Sequence, residues 1–184
     1  RSDDGGSRWK KLAGLPEGKV GRIGLDISRT NSRLLTVIVE NLNARGEGMP
    51  PRADGCAASS GRGGAPGAPR PGTPIGNEVY RSADGGATWT KTHGDGIDVA
   101  GSKAPYSFNQ IRTDPADPNH ILVISDGMYE SKDGGKTWNC DFMRSVFGDF
   151  RTIWWDERDP QRIMLGSDGG VNVSYDGGGT ATFF

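Results

Sequence analysis

Ser131-Lys132-Asp133-Gly134-Gly135-Lys136-Thr137-Trp138 occurs in four versions along the chain. The others are Ser2-Asp3-Asp4-Gly5-Gly6-Ser7-Arg8-Trp9, Ser82-Ala83-Asp84-Gly85-Gly86-Ala87-Thr88-Trp89 and Ser174-Tyr175-Asp176-Gly177-Gly178-Gly179-Thr180-Ala181. The central aspartates Asp4, Asp84, Asp133 and Asp176 are spaced by 80, 49 and 43 residues. Self-similarity at a period near forty to fifty residues marks a repeat architecture of the propeller kind. The Asp-Gly-Gly core supplies the positive φ angles that a tight turn between strands needs. An Asp side chain there accepts hydrogen bonds from the turn's own amides, Ser and Thr hydroxyls close the network, and the Trp is an apolar plug for the sheet. Calcium loops of the EF type carry further alternating carboxylates and a terminal Glu. These turns have neither, so Asp4, Asp84, Asp133 and Asp176, with Trp9, Trp89 and Trp138, read as structural, and no metal site is expected.

A second repeat runs in step. Ile111-Arg112-Thr113-Asp114-Pro115-Ala116-Asp117-Pro118-Asn119-His120-Ile121 matches Ile153-Trp154-Trp155-Asp156-Glu157-Arg158-Asp159-Pro160-Gln161-Arg162-Ile163, and a weaker copy begins at Ile23 with Asp26 at the position of Asp114. Each copy is an apolar run, a polar turn and another apolar run, which is a hairpin signature. Each unit then continues into a third strand, the Gly-rich turn and a fourth strand. The predicted strands are 20–26, 34–40, 78–81 and 88–92, then 106–113, 120–125, 128–131 and 137–141, then 149–155, 162–166, 171–174 and 180–184. The expectation is an all-β chain: a β-propeller fragment of about three four-stranded antiparallel blades. They span approximately 9–92, 93–141 and 142–184 of a single unit, 1–184. Three blades are fewer than a closed ring of the usual kind holds. The chain therefore reads as a cut from a longer protein, with two apolar end faces that meet the remaining blades of the parent.

Composition narrows the partners. The net charge is −1 and mean hydropathy −0.59, which favours neither nucleic acid nor an anionic membrane and leaves no membrane span. Residues 41–77 hold nine Gly and six Pro with no apolar period, and are predicted to be disordered. Their arginines Arg45, Arg52, Arg62 and Arg70 read as parts of a solvated spacer rather than a basic tail. A disulfide between Cys56 and Cys140 is left open by the sequence. His93 and His120 stand apart from each other and from cysteine, and no cofactor-binding motif is present, so no cofactor is expected.

The S-x-D-x-G-x-T-W turns are the pattern known as the Asp box, or BNR repeat. With Gly148-Asp149-Phe150-Arg151-Thr152-Ile153-Trp154-Trp155-Asp156 and the run from Arg162 to Gly178, the chain resembles bacterial BNR-repeat propellers of the sortilin-like (VPS10-like) type, often labelled glycosyl hydrolase. The resemblance covers nearly all of the chain outside 41–77. It implies a scaffold that binds a glycan, peptide or protein on its cavity face, outside the cytoplasm. Asp boxes also occur in xyloglucan-cleaving glycoside hydrolases, where the resemblance implies a carboxylate pair shared between two propeller lobes, of which this chain would hold one. A sialidase is the weakest reading, because the arginine cluster it needs is not evident. Whether the chain is an enzyme stays open.

Blade topology assigns the site to the end opposite the Gly-rich turns, where inter-blade loops and second-to-third strand connections meet. The candidates there are Tyr106, Asn109 and Gln110, then Asp126, then Asp149 and Arg151, then Asp168. For Asp126 and Asp168 the plain alternative is ordinary Asp-Gly hairpin chemistry. Asp149 and Asp168 are expected to be neighbours across two strands and are the catalytic candidates, with one carboxyl pKa raised by the other. Arg151 is expected on the side of Asp149, either as an ion-pair brace or as a ligand contact.

Overall fold

The computed structural model describes residues 1–49, 72–95, 97–100, 109–125 and 127–184. Among them there is no helix, and eleven strands form three antiparallel sheets. The first contains β1 (Val20–Ile27), β2 (Leu35–Ala44), β3 (Pro74–Ser82) and β4 (Thr90–Lys91) in that order. The second contains β5 (Gln110–Thr113), β6 (Ile121–Ile124) and β7 (Met128–Ser131). The third runs β8 (Phe150–Trp155), β9 (Ile163–Ser167), β10 (Gly170–Ser174) and β11 (Thr182–Phe183). This is the strand order of propeller blades.

Three expectations shift. The fourth strand of the second sheet, expected at 137–141, is reduced to one bridge between Glu130 and Asn139. The segment 41–77 is ordered at both ends, since β2 runs through Ala44 and β3 starts at Pro74. Arg45 is buried and its main chain pairs with Thr73 and Gly72; residues 50–71, Cys56 included, lie outside the described residues. The weak hairpin copy is also out of step by two. Leu35, Ile121 and Ile163 face the serines of their Gly-rich turns, Ser82, Ser131 and Ser174. Counting back, Ser28 and not Asp26 is the equivalent of Asp114 and Asp156. Its amide makes the matching bond, to Leu34 O at 3.0 Å, as Asp114 does to His120 O at 2.9 Å and Asp156 to Arg162 O at 3.1 Å.

The four turns share one network. Asp133 takes the amides of Lys136 and Thr137 at 2.9 and 3.0 Å, the Thr137 hydroxyl at 2.6 Å and the Ser131 hydroxyl at 2.8 Å. Asp84 repeats the pattern. So does Asp176, whose carboxyl is pushed down to about 2, chiefly by the Thr180 amide. Hydrogen bonds to the charged form are what hold an acid ionised. Three of the four turns also reach the first hairpin of their own sheet: Gly85 N donates to Arg33 O at 2.8 Å, Gly134 N to Asn119 O at 2.9 Å and Gly177 N to Gln161 O at 2.8 Å. Trp89 is buried and Trp138 packs partly buried between sheets, as a plug should. Trp9 does not, being 75% exposed.

The core lies between sheets. β6 is buried on both faces: Ile121 and Val123 meet Ile38 and Val79 of the first sheet, while Leu122 and Ile124 meet Phe150, Ile153 and Leu165 of the third. Each such side chain contributes about 2 kcal/mol by burial, so a four-residue strand anchors two seams. The connecting segments fill them, Val99 and Ala100 in one, Phe142 and Met143 in the other. Polar contacts key the sheets together: Thr113 N to Asp26 at 2.7 Å, Arg81 to Pro118 O at 2.7 Å, Thr92 Oγ1 to Gly135 O at 2.9 Å, and Arg29 to Glu157 at 2.8 Å. Ile23, Leu25 and Ile27 on one end face, and Trp154, Met164 and Val171 on the other, are exposed. By register Leu25 occupies the position at which Ile111 and Ile153 are buried.

The second seam carries a charged triad that no repeat requires. His120 contacts Asp114 Oδ2 and Glu130 Oε1, each at 2.9 Å, and its ring meets Trp155 edge-on at 4.9 Å. Lys132 approaches Glu130 at 3.3 Å. Burial acts to lower the imidazole pKa, but the hydrogen bonds to Glu130 and Asp114 outweigh it and the net shift is upward from 6.5. Only the imidazolium can donate to both carboxylates. A raised folded pKa gives stabilisation that is complete below the unfolded value and lost as pH rises through the folded one. His93 is the opposite case, lowered by burial, with Nε2 accepting from Val79 N at 2.9 Å. The stability difference between the native chain and His120→Gln should therefore shrink from pH 6 to pH 9 in urea melts. A constant or growing difference would remove the imidazolium from this account.

Candidate functional site

Asp149, Arg151 and Asp168 come together at the end of the third sheet away from the Gly-rich turns. Asp168 N donates to Asp149 O at 3.3 Å, extending the β8–β9 ladder past Phe150 and Ser167. The two aspartates are thus main-chain neighbours, as strand pairing implies. Asp149 sits at φ 58°, a left-handed conformation that Asp tolerates better than most side chains. Its role is to swing the chain from the inter-sheet segment into β8, whose first amide, Phe150 N, bonds Ser125 O at 3.1 Å.

Arg151 does not serve Asp149. Its Nε donates to Asp168 Oδ1 at 2.9 Å and Nη2 to Oδ2 at 3.1 Å, a bidentate pair with both side chains about half exposed. The reason is local. Phe150 pairs with Ser167 and Thr152 with Gly166, so Arg151 is an extra residue in the strand. A bulge re-aims the side chain it carries and breaks the alternation of faces. The Arg151 hydrogen bond holds the Asp168 carboxyl below its ordinary range. The expected carboxylate with a raised pKa is therefore not Asp168, because its nearest charged partner is a cation. Exposed pairs of this kind contribute little stability; what the pair fixes is geometry.

The other candidates divide. Gln110 is drawn to the third sheet, donating its side-chain amide to Arg151 O. Asn109 is fully buried in the first seam, where its Nδ2 bonds Asn77 Oδ1 and its carbonyl lies against Gly24. Its Oδ1 is buried with no hydrogen-bond partner among the described residues. Tyr106 and Asp126 lie outside the described residues. Gly169 does not follow the Asp-Gly hairpin reading, since the positive φ of this turn falls on Gly170, at 118°. A residue the sequence reading passed over stands beside it: Phe147, exposed, with its ring against Gly169. No group of His, Cys, Asp and Glu able to hold a metal ion occurs among the described residues.

No protein-family model matches the chain and no curated protein matches it. Solved structures do. The chain is similar to the GH74 enzyme of Niastella koreensis, with 16% identity and TM-score 0.55 over 87% of this chain and 22% of that one. It is similar also to the GH74 xyloglucanase of Xanthomonas campestris, with 16% identity and TM-score 0.50 over 86% of this chain and 22% of that one. The chain thus spans about a fifth of either protein. At such identity the likeness shows the fold, that of a propeller fragment; a sortilin-like assignment is not confirmed by it.

The ion pair has a direct test. In a carboxyl-detected NMR titration, Asp168 should titrate below 3.8 and move up when Arg151 is replaced by Gln, because a folded pKa lowered by a partner returns when the partner goes. An Asp168 midpoint that ignores the Arg151→Gln change would dissolve the pair.

Proposed function

We propose that this chain is a glycan-binding section of a glycoside-hydrolase-type propeller, with its contact surface at the far end of the third sheet. The observation that carries the reading is the half-exposed Arg151–Asp168 pair, presented by a strand bulge beside Asp149. A carboxylate kept ionised accepts hydrogen bonds from sugar hydroxyls, and the guanidinium edge beside it donates to them. The fold likeness to GH74 enzymes, one of them named a xyloglucanase, favours a β-glucan of that kind over a peptide.

The chemistry available at Asp168 is that of a base. A carboxyl held below its ordinary range by Arg151 takes up a proton or orients a water; it does not donate a proton at neutral pH. Glycoside hydrolysis needs a second carboxyl as acid, about 6.5–9.5 Å away in inverting enzymes. In this reading that acid belongs to another lobe of a larger protein, so the chain binds without cleaving. Cys140 is disulfide-bonded, which fits an extracytoplasmic setting. Among the described residues no helix is long and apolar enough to cross a membrane.

Calorimetric titration with a xyloglucan oligosaccharide should give binding that Asp168→Asn weakens about ten-fold, a loss of about 1.4 kcal/mol, with the melting temperature unchanged. Asp149→Asn should weaken it less. Unchanged binding with a lowered melting temperature would make the cluster a brace and end the glycan reading.

A further inference from the structure

Phe147 precedes β8 by three residues and is 57% exposed. A solitary exposed aromatic is unremarkable by itself; what lies beneath this one is not. An ideal Cβ on Gly169 would fall 2.9 Å from Phe147 Cβ and 3.0 Å from both Cγ and Cδ1. Real Cβ atoms do not approach so closely. The backbone of Gly169 has no left-handed φ, so the turn itself would admit any side chain. Gly166 and Gly170 have other reasons to be small, against Thr152 and Phe183. Glycine at 169 is required by the ring: the bare main chain is its seat.

That seat adjoins the charged pair. Gly169 follows Asp168 directly, and its amide is fixed by Ser167 Oγ at 3.1 Å. The root of the Phe147 side chain is thus held against the main chain one residue from Asp168, while the side chain remains exposed to solvent. An apolar plate beside paired hydrogen-bonding groups is the complement of a pyranose ring, whose C–H face is apolar and whose rim carries hydroxyls. Because Asp168 already occupies two donors of Arg151, the pair is close to neutral as a unit and suits a neutral sugar better than an acidic one.

Resting on the glycan reading above, we propose that Phe147 is the stacking platform of this site, seated on Gly169, and that it selects a neutral pyranose unit next to Asp168. The binding energy of such a plate comes from buried apolar area on both rings. Trp at 147 preserves it and Ala removes it. Placing a methyl group at 169 lifts the ring off its seat, so Gly169→Ala acts on binding only through Phe147.

The test titrates the 184-residue chain with cellotetraose as the neutral probe and trigalacturonate as the acidic one. The native chain is expected to bind cellotetraose and to bind trigalacturonate at least about ten-fold more weakly. Phe147→Ala should weaken cellotetraose binding about ten-fold, Phe147→Trp should hold it within about three-fold, and Gly169→Ala should weaken it as Phe147→Ala does. In the Phe147→Ala background, Gly169→Ala should add nothing further. Loss with Asp168→Asn but not with Phe147→Ala would overturn the platform and leave the glycan site standing. A native chain that binds neither probe, or binding indifferent to Asp168, would overturn the glycan reading and the platform together.

Discussion

One hydrogen bond per sheet, from a glycine amide of the Gly-rich turn to the carbonyl of the first hairpin, holds the architecture in order. The carboxylate of Asp84, Asp133 or Asp176 first collects the turn's amides and hydroxyls, which leaves the first glycine amide pointing outward. That amide then finds Arg33, Asn119 or Gln161 on the hairpin that leads into the neighbouring strand. The turn after the third strand is thereby tied to the hairpin between the first two, at one end only. This explains how fourth strands of two residues, or a single bridge, suffice. A backbone donor near a buried seam must be paired, so turn and hairpin must appear together, and the repeat period follows from that need.

The same constraint frees the opposite end. At that end of the third sheet the chain is shaped by a left-handed Asp149, the bulge at Arg151 and the seat at Gly169. Departures from regular strand geometry gather where side chains are re-aimed rather than packed. Electrostatics divides along the same line. At the turn end, aspartates are held ionised by backbone donors and His120 bridges two carboxylates in the seam. At the far end of the third sheet, the half-exposed Arg151–Asp168 pair faces solvent.

The fold was legible because its period is written in residues whose chemistry is hard to replace: Asp, Gly-Gly, Trp and the Asp-Pro hairpins. Most strand starts fall within a residue or two of those expected, but β3 begins at Pro74 rather than 78 and β5 at Gln110 rather than 106. What was not legible depends on register. The first hairpin looks aligned through Asp26, yet pairing of Leu35 with Ser82 places Ser28 at that position. Arg151 looks as though it must share a face with Asp149, until an extra residue in β8 turns it toward Asp168. Asn109 has the composition of a ligand contact and the burial of a core residue. Phe147 lies in a loop with no pattern, and Gly169 reads as turn chemistry when its constraint is a ring from another segment. In the triad, Asp114 and His120 share the β5–β6 hairpin as Asp156 and Arg162 share the β8–β9 one, but Glu130 comes from β7, which no spacing announces. Contacts between elements decide all of these, and a linear pattern records only contacts within them.

The most direct measurement is amide hydrogen exchange, resolved by residue, at the four turn glycines. Gly5 makes no bond of this kind among the described residues, whereas Gly85, Gly134 and Gly177 are donors at 2.8, 2.9 and 2.8 Å. The account requires the last three to exchange slowly, opening only with their sheets, and Gly5 to exchange close to the rate of a free amide. Exchange at Gly85, Gly134 and Gly177 as fast as at Gly5 would mean that the turns are not tied to the hairpins, and the central claim would fall.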